Sequence, residues 1–552
     1  MTKPVKKILL LANGGREHSI AKVLKKSEKY EVEIYGFFNA NNPAVTKLAT
    51  EFVINSERNF GEDTKFEALK NFAKNIENLD FAIIGPDDPI GAGAADALLE
   101  VGIKSFAPTQ KPAQLESSKG FTRSLLKKYN IEGNPEFRNF VTGEESELEN
   151  YCINEIKEKF KFVVKDDGLC GGKGVFVQDD HFETHEEGAK IALDILAKSG
   201  KLVIEEKLEG PEFSLLCIAD GKTIIPMPTI ADHKRAFDGD KGPNTGGMGT
   251  ISFPNKLPFI TDENINEAIK ITEKVMKAVE DETGEKFCGV MYGGFMRTKT
   301  GAKLIEYNAR FGDPEALNAL PLLKSDAVDL FEYAINQKLD ELKVEYYNKA
   351  TVCKYLVPEG YPTNSVKHKV VTVNQELLDD LKLDENYNGV EVFYASIYED
   401  ENTGELKLGG SRAIGVVGIH DDFKEAKKLA DKAIEAFDGP LFYRKDIGSE
   451  ELLEARMAMV KYYKMVSENF IKSFEIIFDK DWNYTKIFFG INGFEKNETF
   501  LNHSHIGNWC NMDTLLLSYN NLKNELKKTS IDNLKIKEKL KSFLEIFEVV
   551  FD

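Results

Sequence analysis

No two of the six cysteines stand as a Cys-x-x-Cys pair; they are scattered at 152, 170, 217, 288, 353 and 510. That spacing matches no zinc ribbon, gives no disulfide framework and fits a reducing compartment. No apolar run approaches the roughly 18 residues that a membrane-spanning helix needs. The N-terminus has no apolar signal core. A cytoplasmic protein without membrane contact is therefore expected. Positive charge is also in deficit: 72 Lys and Arg stand against 91 Asp and Glu, a formal charge of −19. This argues against an extended nucleic-acid face while leaving room for a local basic pocket. Apolar residues at 42% are ordinary for a globular protein, and 552 residues exceed one domain. Length alone suggests about three to five domains.

Against this background one stretch stands out, Lys165-Asp166-Asp167-Gly168-Leu169-Cys170-Gly171-Gly172-Lys173-Gly174-Val175. Apolar, β-prone residues flank it, so it reads as strand, glycine-rich turn, strand. The glycines let successive backbone N–H groups face one anion, and Lys165 and Lys173 bracket the turn. A nucleotide phosphate clamp is one reading, and a surface hairpin with two solvated lysines is the other. The spacing is not that of a P-loop.

Upstream, Ile8–Ala12 reads as a buried parallel strand because it is apolar without alternation. It runs into Asn13-Gly14-Gly15-Arg16-Glu17-His18 and a helix, an anion-binding arrangement without the GxGxxG fingerprint. Further strands are expected at Val32–Phe38 and Phe81–Ile84, the latter followed by Asp87-Asp88, and a short one ending in Ser105-Phe106-Ala107-Pro108. Paired carboxylates at a strand's carboxyl end sit where open α/β sheets bind ligands. A helix over Lys119–Tyr129 follows a Ser117-Ser118 cap, and the Glu-rich segment 141–158 reads as the surface of a lid.

Farther along, Asp232-His233-Lys234-Arg235 precedes the polar loop Gly242-Pro243-Asn244-Thr245-Gly246-Gly247-Met248-Gly249. A helix is expected over 263–282, then antiparallel strands Val290–Arg297 and Lys303–Tyr307. Glu306 and Asn308 are two apart, so a strand puts both on one face. A carboxylate and an amide oxygen held together suit Mg²⁺, which completes its shell with phosphate and water. Arg310 continues that face if the strand persists, and its fork fits a small carboxylate. Asp313 or Glu315 could orient a cation or an amine. These features imply ATP chemistry and leave kinase and ligase open. Residues 340–448 read as a smaller β-rich region. Beyond 450 the texture changes, with a helix expected over 451–470 and Lys/Glu-rich helices over 520–547. His503, His505 and Cys510 match no zinc spacing.

Taken together, the clamp, the Asp232–Arg235 and Gly242–Gly249 segments, Glu306–Glu315 and the closing Arg444-Lys445-Asp446-Ile447-Gly448 closely resemble the phosphoribosylamine–glycine ligase family of the ATP-grasp superfamily. The resemblance spans residues 5 to about 448 and rests on the combination rather than on one motif. It implies an α/β and α+β multidomain protein with an ATP-grasp fold. The expected divisions are an N-terminal open α/β substrate domain over 1–117, an ATP-grasp domain over 118–335 with its lid at about 128–197, a β-rich domain over 336–449, and an appendage over 450–552.

The resemblance also implies a reaction. Glycine, 5-phosphoribosylamine and ATP give glycinamide ribonucleotide, ADP and phosphate through a glycyl phosphate, in de novo purine synthesis. Lys119, Lys165 and Lys173 would contact ATP phosphates; Glu205, Lys207 and Leu208 would line the adenine hinge; Glu212 would take the ribose. Glu306 and Asn308 would bind Mg²⁺ or Mn²⁺. Arg310 and Asp313 would position glycine, and Lys234 would share the catalytic role. Gly15, Asp88, Asp232, Lys234, Asn244 and Thr245 would surround phosphoribosylamine, with Arg444 and Lys445. His18 and His233 read as hydrogen-bonding or structural residues. No nucleic acid or membrane partner is implied, and residues 450–552 could serve self-association. Departures from the family pattern are Asp87 for glutamate, Asp166 and Cys170 for alanines, Lys207 for an aromatic and Ala316-Leu317 for a more polar pair. The rival readings are another purine-pathway ATP-grasp ligase and a non-catalytic nucleotide-binding assembly protein.

Overall fold

The computed structural model of the chain describes residues 2–55, 66–171, 174–467, 473–478 and 484–490. Two compact units emerge, Met1–Ser449 and Glu450–Asp552.

The first unit begins with a parallel sheet in the order Glu51–Ile54, Glu31–Phe38, Val5–Leu11, Phe81–Ile84, Ser105–Phe106. Ile8, Leu9, Leu10 and Leu11 are buried, as expected for a central strand covered on both faces. The chain builds outward from Val5–Leu11 in one direction and then returns to its other side with Phe81–Ile84. That change of direction opens a crevice at the carboxyl ends of the two strands. Gly14-Gly15 at the start of the helix Gly15–Lys25 follows one of them, and the helix Asp87–Ala92 follows the other. The short strand Glu51–Ile54 escaped the sequence reading: it has only four residues, does not alternate, and is largely exposed at the edge of the sheet.

A second, antiparallel sheet runs Phe137–Val141, Lys201–Glu206, Phe162–Asp166, Val175–Val177. The helix His185–Ser199 covers it, capped by Thr184 and Glu187 and stopped by Gly200 at φ 77°. A left-handed residue at that position ends a helix, and glycine adopts it without strain. Within the acidic segment 141–158, Leu148, Cys152 and Ile156 turn inward and join Phe162 and Leu196 in the core. That segment is thus exposed on one face only.

The largest sheet follows the path Gly301–Asn308, Gly289–Thr298, Glu212–Ala219, Ile230–Asp232, Gly249–Ser252, Ala350–Pro358, Ile414–His420, Gly389–Tyr394. Gly249–Ser252 pairs with Ala350–Pro358, so one sheet is continuous from the strand Gly301–Asn308 into the C-terminal β-rich part. The strand Gly301–Asn308 is not a plain alternation. Its pairing with Gly289–Thr298 shifts between Gly294 and Phe295, leaving Ile305 as the extra residue of a bulge. Ala302, Leu304 and Tyr307 remain on the core side, while Glu306 and Asn308 keep a common side. The strand ends at Asn308, so Arg310 stands in the following bend.

In the second unit the helix Glu450–Ser467 precedes an antiparallel hairpin, Ser473–Phe478 with Tyr484–Gly490. Trp482, Trp509, His503, His505, Cys510 and the helices expected over 520–547 lie outside the described residues. Among the described residues no helix is long and apolar enough to cross a membrane.

Candidate active site

The sheet that carries Glu306 also floors a small cleft. Glu212, Asp232, Lys234, Tyr292, Glu306 and Asn308 line it, together with Ile305. Burial by itself would push the Glu306 carboxyl up, but Lys234, Lys165, Lys119 and Arg310 more than offset it and hold the group below its ordinary range. Among the described residues no hydrogen bond or ion pair occupies that carboxylate. Glu212 and burial act oppositely on Lys234, and the Glu212 carboxylate wins, raising it above the usual lysine range; the two are 3.4 Å apart.

Arg123, Glu205 and Lys165 form a charge cluster on the Ile305 carbonyl. Arg123 donates to both Glu205 oxygens at 2.7 and 2.8 Å, and Lys165 donates to Oε2 at 2.8 Å. The Ile305 carbonyl, exposed by the bulge, accepts from Lys165 at 2.9 Å and from Arg123 at 2.6 Å. Burial opposes the Glu205 charge, yet Arg123 and Lys165 hold it down to about 2. Lys165 itself is lowered by burial, with Glu205 pulling the other way. The Glu205 side chain is therefore engaged by cations, and what it could offer a ligand here is its backbone.

The glycine-rich turn is anchored from the helix Lys119–Lys128. Ser118 caps that helix at the Phe121 N–H and donates to Asp167, while the Gly120 N–H donates to the other Asp167 oxygen at 3.1 Å. Lys119 donates to the Gly168 carbonyl at 2.7 Å. Lys173 lies outside the described residues. Lys207 donates to the Gln178 carbonyl and pairs with Asp179, both at 2.7 Å, so its ammonium is held on the turn after Val175–Val177 and does not line the cleft. Leu208 follows it, half-buried.

On the opposite side, Arg310 donates to Glu116 at 2.9 Å, to Asn308 Oδ1 at 3.2 Å and to the Phe311 carbonyl at 3.3 Å. Its Nε is buried with no partner among the described residues. Burial pushes Glu116 up to about 7 against the pull of Arg310. Asp87 is lowered despite burial, by Arg310 and Arg16, whereas burial and Asp87 raise Asp88. Asp313 accepts from Tyr355 Oη at 2.6 Å and from the Arg16 N–H at 3.3 Å. Burial would raise it, but Arg412 and Arg16 keep it low. Arg412 stacks over Tyr355 at 4.8 Å and donates to the carbonyls of Gly246 at 2.7 Å, Gly247 at 3.1 Å and Asp313 at 2.6 Å. One guanidinium thus joins the glycine-rich loop to the Asp313 turn.

His18, beside Gly15, is buried and accepts from the Tyr394 N–H at 2.9 Å; burial and Lys22 drive it down to about 3, so it is a neutral structural residue. Asp232 is raised by burial and by Glu315, and it accepts from the His233 N–H. Thr245 donates to the Lys234 carbonyl through both N–H and hydroxyl, and Asn244 pairs with Arg235 across a small hairpin. Arg444 is buried, with its guanidinium on Asp240 at 2.6 Å and on both Asp446 oxygens. Lys445 is exposed, and its N–H donates to Asp238. Neither Arg444 nor Lys445 lines the cleft; they fasten the hairpin Arg235–Phe237/Lys241–Asn244 to the C-terminal turn.

Sequence reasoning missed Glu116, Arg123, Tyr355 and Arg412. Arg123 had a usable signal, since it stands four residues after Lys119 on one helix face. Glu116 stands three before Lys119. Tyr355 and Arg412 reach the site only through pairing of distant strands.

Three family models match the chain: Phosphoribosylglycinamide synthetase N domain over 6–116, its ATP-grasp (A) domain over 117–316 and its C domain over 351–450. A phosphoribosylamine–glycine ligase of Methanococcus maripaludis is 44% identical over 460 residues, covering 82% of this chain and 99% of that relative. One from Methanocaldococcus jannaschii is 44% identical over 456 residues, 82% and 98% respectively. The crystal structure of phosphoribosylamine–glycine ligase from Thermotoga maritima superposes with a TM-score of 0.64 at 29% identity, covering 80% of this chain and 100% of that one. Three successive domain matches, with relatives 44% identical over 82% of the chain, leave a single assignment: the chain belongs to the phosphoribosylamine–glycine ligase family, with an ATP-grasp fold.

Proposed function

We propose that the cleft binds ATP with its phosphates between Lys119, Lys165 and Lys173 on one side and Glu306 with Asn308 on the other. The chain is an ADP-forming ligase of purine synthesis that makes glycinamide ribonucleotide from glycine and 5-phosphoribosylamine. The observation that carries the siting is Glu306: a half-buried carboxylate held below its ordinary range by Lys234, Lys165, Lys119 and Arg310, with no hydrogen bond or ion pair on it among the described residues. Oxygen donors of this kind fit Mg²⁺ or Mn²⁺, and Glu306 and Asn308 would hold the ion. Bound there, it would neutralise phosphate charge.

The adenine would lie against the backbone of Glu205, Lys207 and Leu208, with Glu212 at the ribose. Arg310 takes the glycine carboxylate, and Asp313, kept ionised beside Arg412 and Arg16, takes its ammonium group. Phosphoribosylamine lies among Gly15, Asp88, Asp232, Lys234, Asn244 and Thr245, with Arg444 and Lys445 holding the hairpin that brings Lys234 and Asn244 there. A glycine carboxylate oxygen attacks the γ-phosphorus and ADP departs. The phosphoribosylamine nitrogen then attacks the carbonyl carbon of glycyl phosphate, the C–O bond breaks, and phosphate leaves with the electron pair while the nitrogen loses a proton. No protein nucleophile is needed; fixed cations supply the stabilisation where negative charge develops. The reaction is placed in the cytoplasm, where scattered free thiols persist.

ADP release measured with ATP, glycine and freshly made phosphoribosylamine tests this reading. Release should require both co-substrates. Release that ignores glycine would contradict it.

A further inference from the structure

We propose that Glu116 is a positioning residue for the ligation: gripping the Arg310 guanidinium and the backbone of Ala309 with one carboxylate, it holds Arg310 in the orientation that receives the glycine carboxylate. The inference rests on the reading of Arg310 given above.

The geometry is specific. Glu116 belongs to the short helix Gln114–Ser117, while Arg310 stands in the bend after the strand Gly301–Asn308. One Glu116 oxygen meets Arg310 Nη2 at 2.9 Å, and the other accepts from the Ala309 N–H at 2.8 Å. Because both contacts are made by the same rigid group, the side chain is fixed relative to its own backbone. Among the described residues, the remaining hydrogen bonds of the guanidinium, to Asn308 Oδ1 at 3.2 Å and the Phe311 carbonyl at 3.3 Å, are longer and go to uncharged groups. Charge-assisted contacts of this kind are the stronger ones. Glu116 is therefore the principal hold on Arg310, and it leaves Nε, buried and without a partner among the described residues, as a donor for a ligand.

The position in the chain adds a second argument. Ser118 and Lys119, two and three residues on, bind Asp167 and the Gly168 carbonyl of the clamp. One turn of chain thus sets both the clamp and Arg310.

The test is a double-mutant cycle in the full chain with E116Q, R310K and the pair, reading kcat and KM for glycine and for ATP, with Tm alongside. Glutamine retains the shape but offers an N–H where one of the two donors points. E116Q should raise the glycine KM by about tenfold or more, the effect of losing a hydrogen bond to a charged group, while the ATP KM stays put. R310K should raise the glycine KM as well, and adding E116Q to R310K should change it little further, because the two act as one unit. E116D, shorter by one methylene, replaces E116Q in the cycle if that variant does not fold. Additive effects, or lost kcat and Tm with an unmoved glycine KM, would assign Glu116 a merely structural role and overturn the proposal. If R310K raises the glycine KM and E116Q does not, the positioning role alone fails. If R310K leaves it unmoved, the reading of Arg310 falls and the proposal with it.

Discussion

Glu205 and Arg123 show how a residue can matter to a ligand site through charge held out of its sight. Glu205 is 3% exposed and bound by two cations, so removing its charge leaves buried Arg123 and Lys165 without their shared counter-charge. Breaking a buried pair from one side costs about 3 to 5 kcal/mol. Glu205→Gln should therefore lower the urea midpoint by an amount of that order, with little change in the slope. The pH dependence has a definite sign. A carboxyl lowered on folding from 4.5 to about 2 contributes stability that is complete above 4.5 and is lost as pH falls through about 2. Urea titrations across that window should show a steeper acid loss in the natural chain than in Glu205→Gln; equal slopes would contradict the cluster's role.

The hairpin Arg235–Phe237/Lys241–Asn244 has few contacts of its own and is held from outside by Arg444 on Asp240 and Asp446. Arg444→Met should destabilise the chain by the lower end of about 3 to 5 kcal/mol, since Asp240 keeps 30% exposure, and should lower kcat/KM for phosphoribosylamine more than for ATP. Equal losses for both substrates would detach the hairpin from that substrate. The elements differ in how readable they were. Ile8–Leu11, Phe81–Ile84 and the 22-residue helix Asp262–Thr283 announced themselves through apolar pattern and caps. Glu306 and Asn308 were legible because a strand's period of two survives to its end. The Ile305 bulge was not, because a bulge is a property of pairing between strands and not of one strand's composition. Arg412 and Tyr355 were hidden for the same reason: they meet Asp313 and the Gly246-Gly247 loop across 42 to 166 residues of chain.

Every candidate site residue falls within Met1–Ser449, and the family matches end at residue 450. A chain cut after residue 449 should therefore keep glycine-dependent ADP release near that of the full chain. We propose that residues 450–552 serve self-association, motivated by their two tryptophans and dense phenylalanine. The cut chain should then have a smaller mass in solution relative to its length, by light scattering; an unchanged state would remove that role. The central claim is chemical: in this cleft, glycine is activated as its acyl phosphate before nitrogen attacks. Glycine labelled with ¹⁸O in both carboxylate oxygens measures it directly. The account predicts that one labelled oxygen appears in each inorganic phosphate released during turnover, and phosphate free of label while glycinamide ribonucleotide accumulates would contradict it.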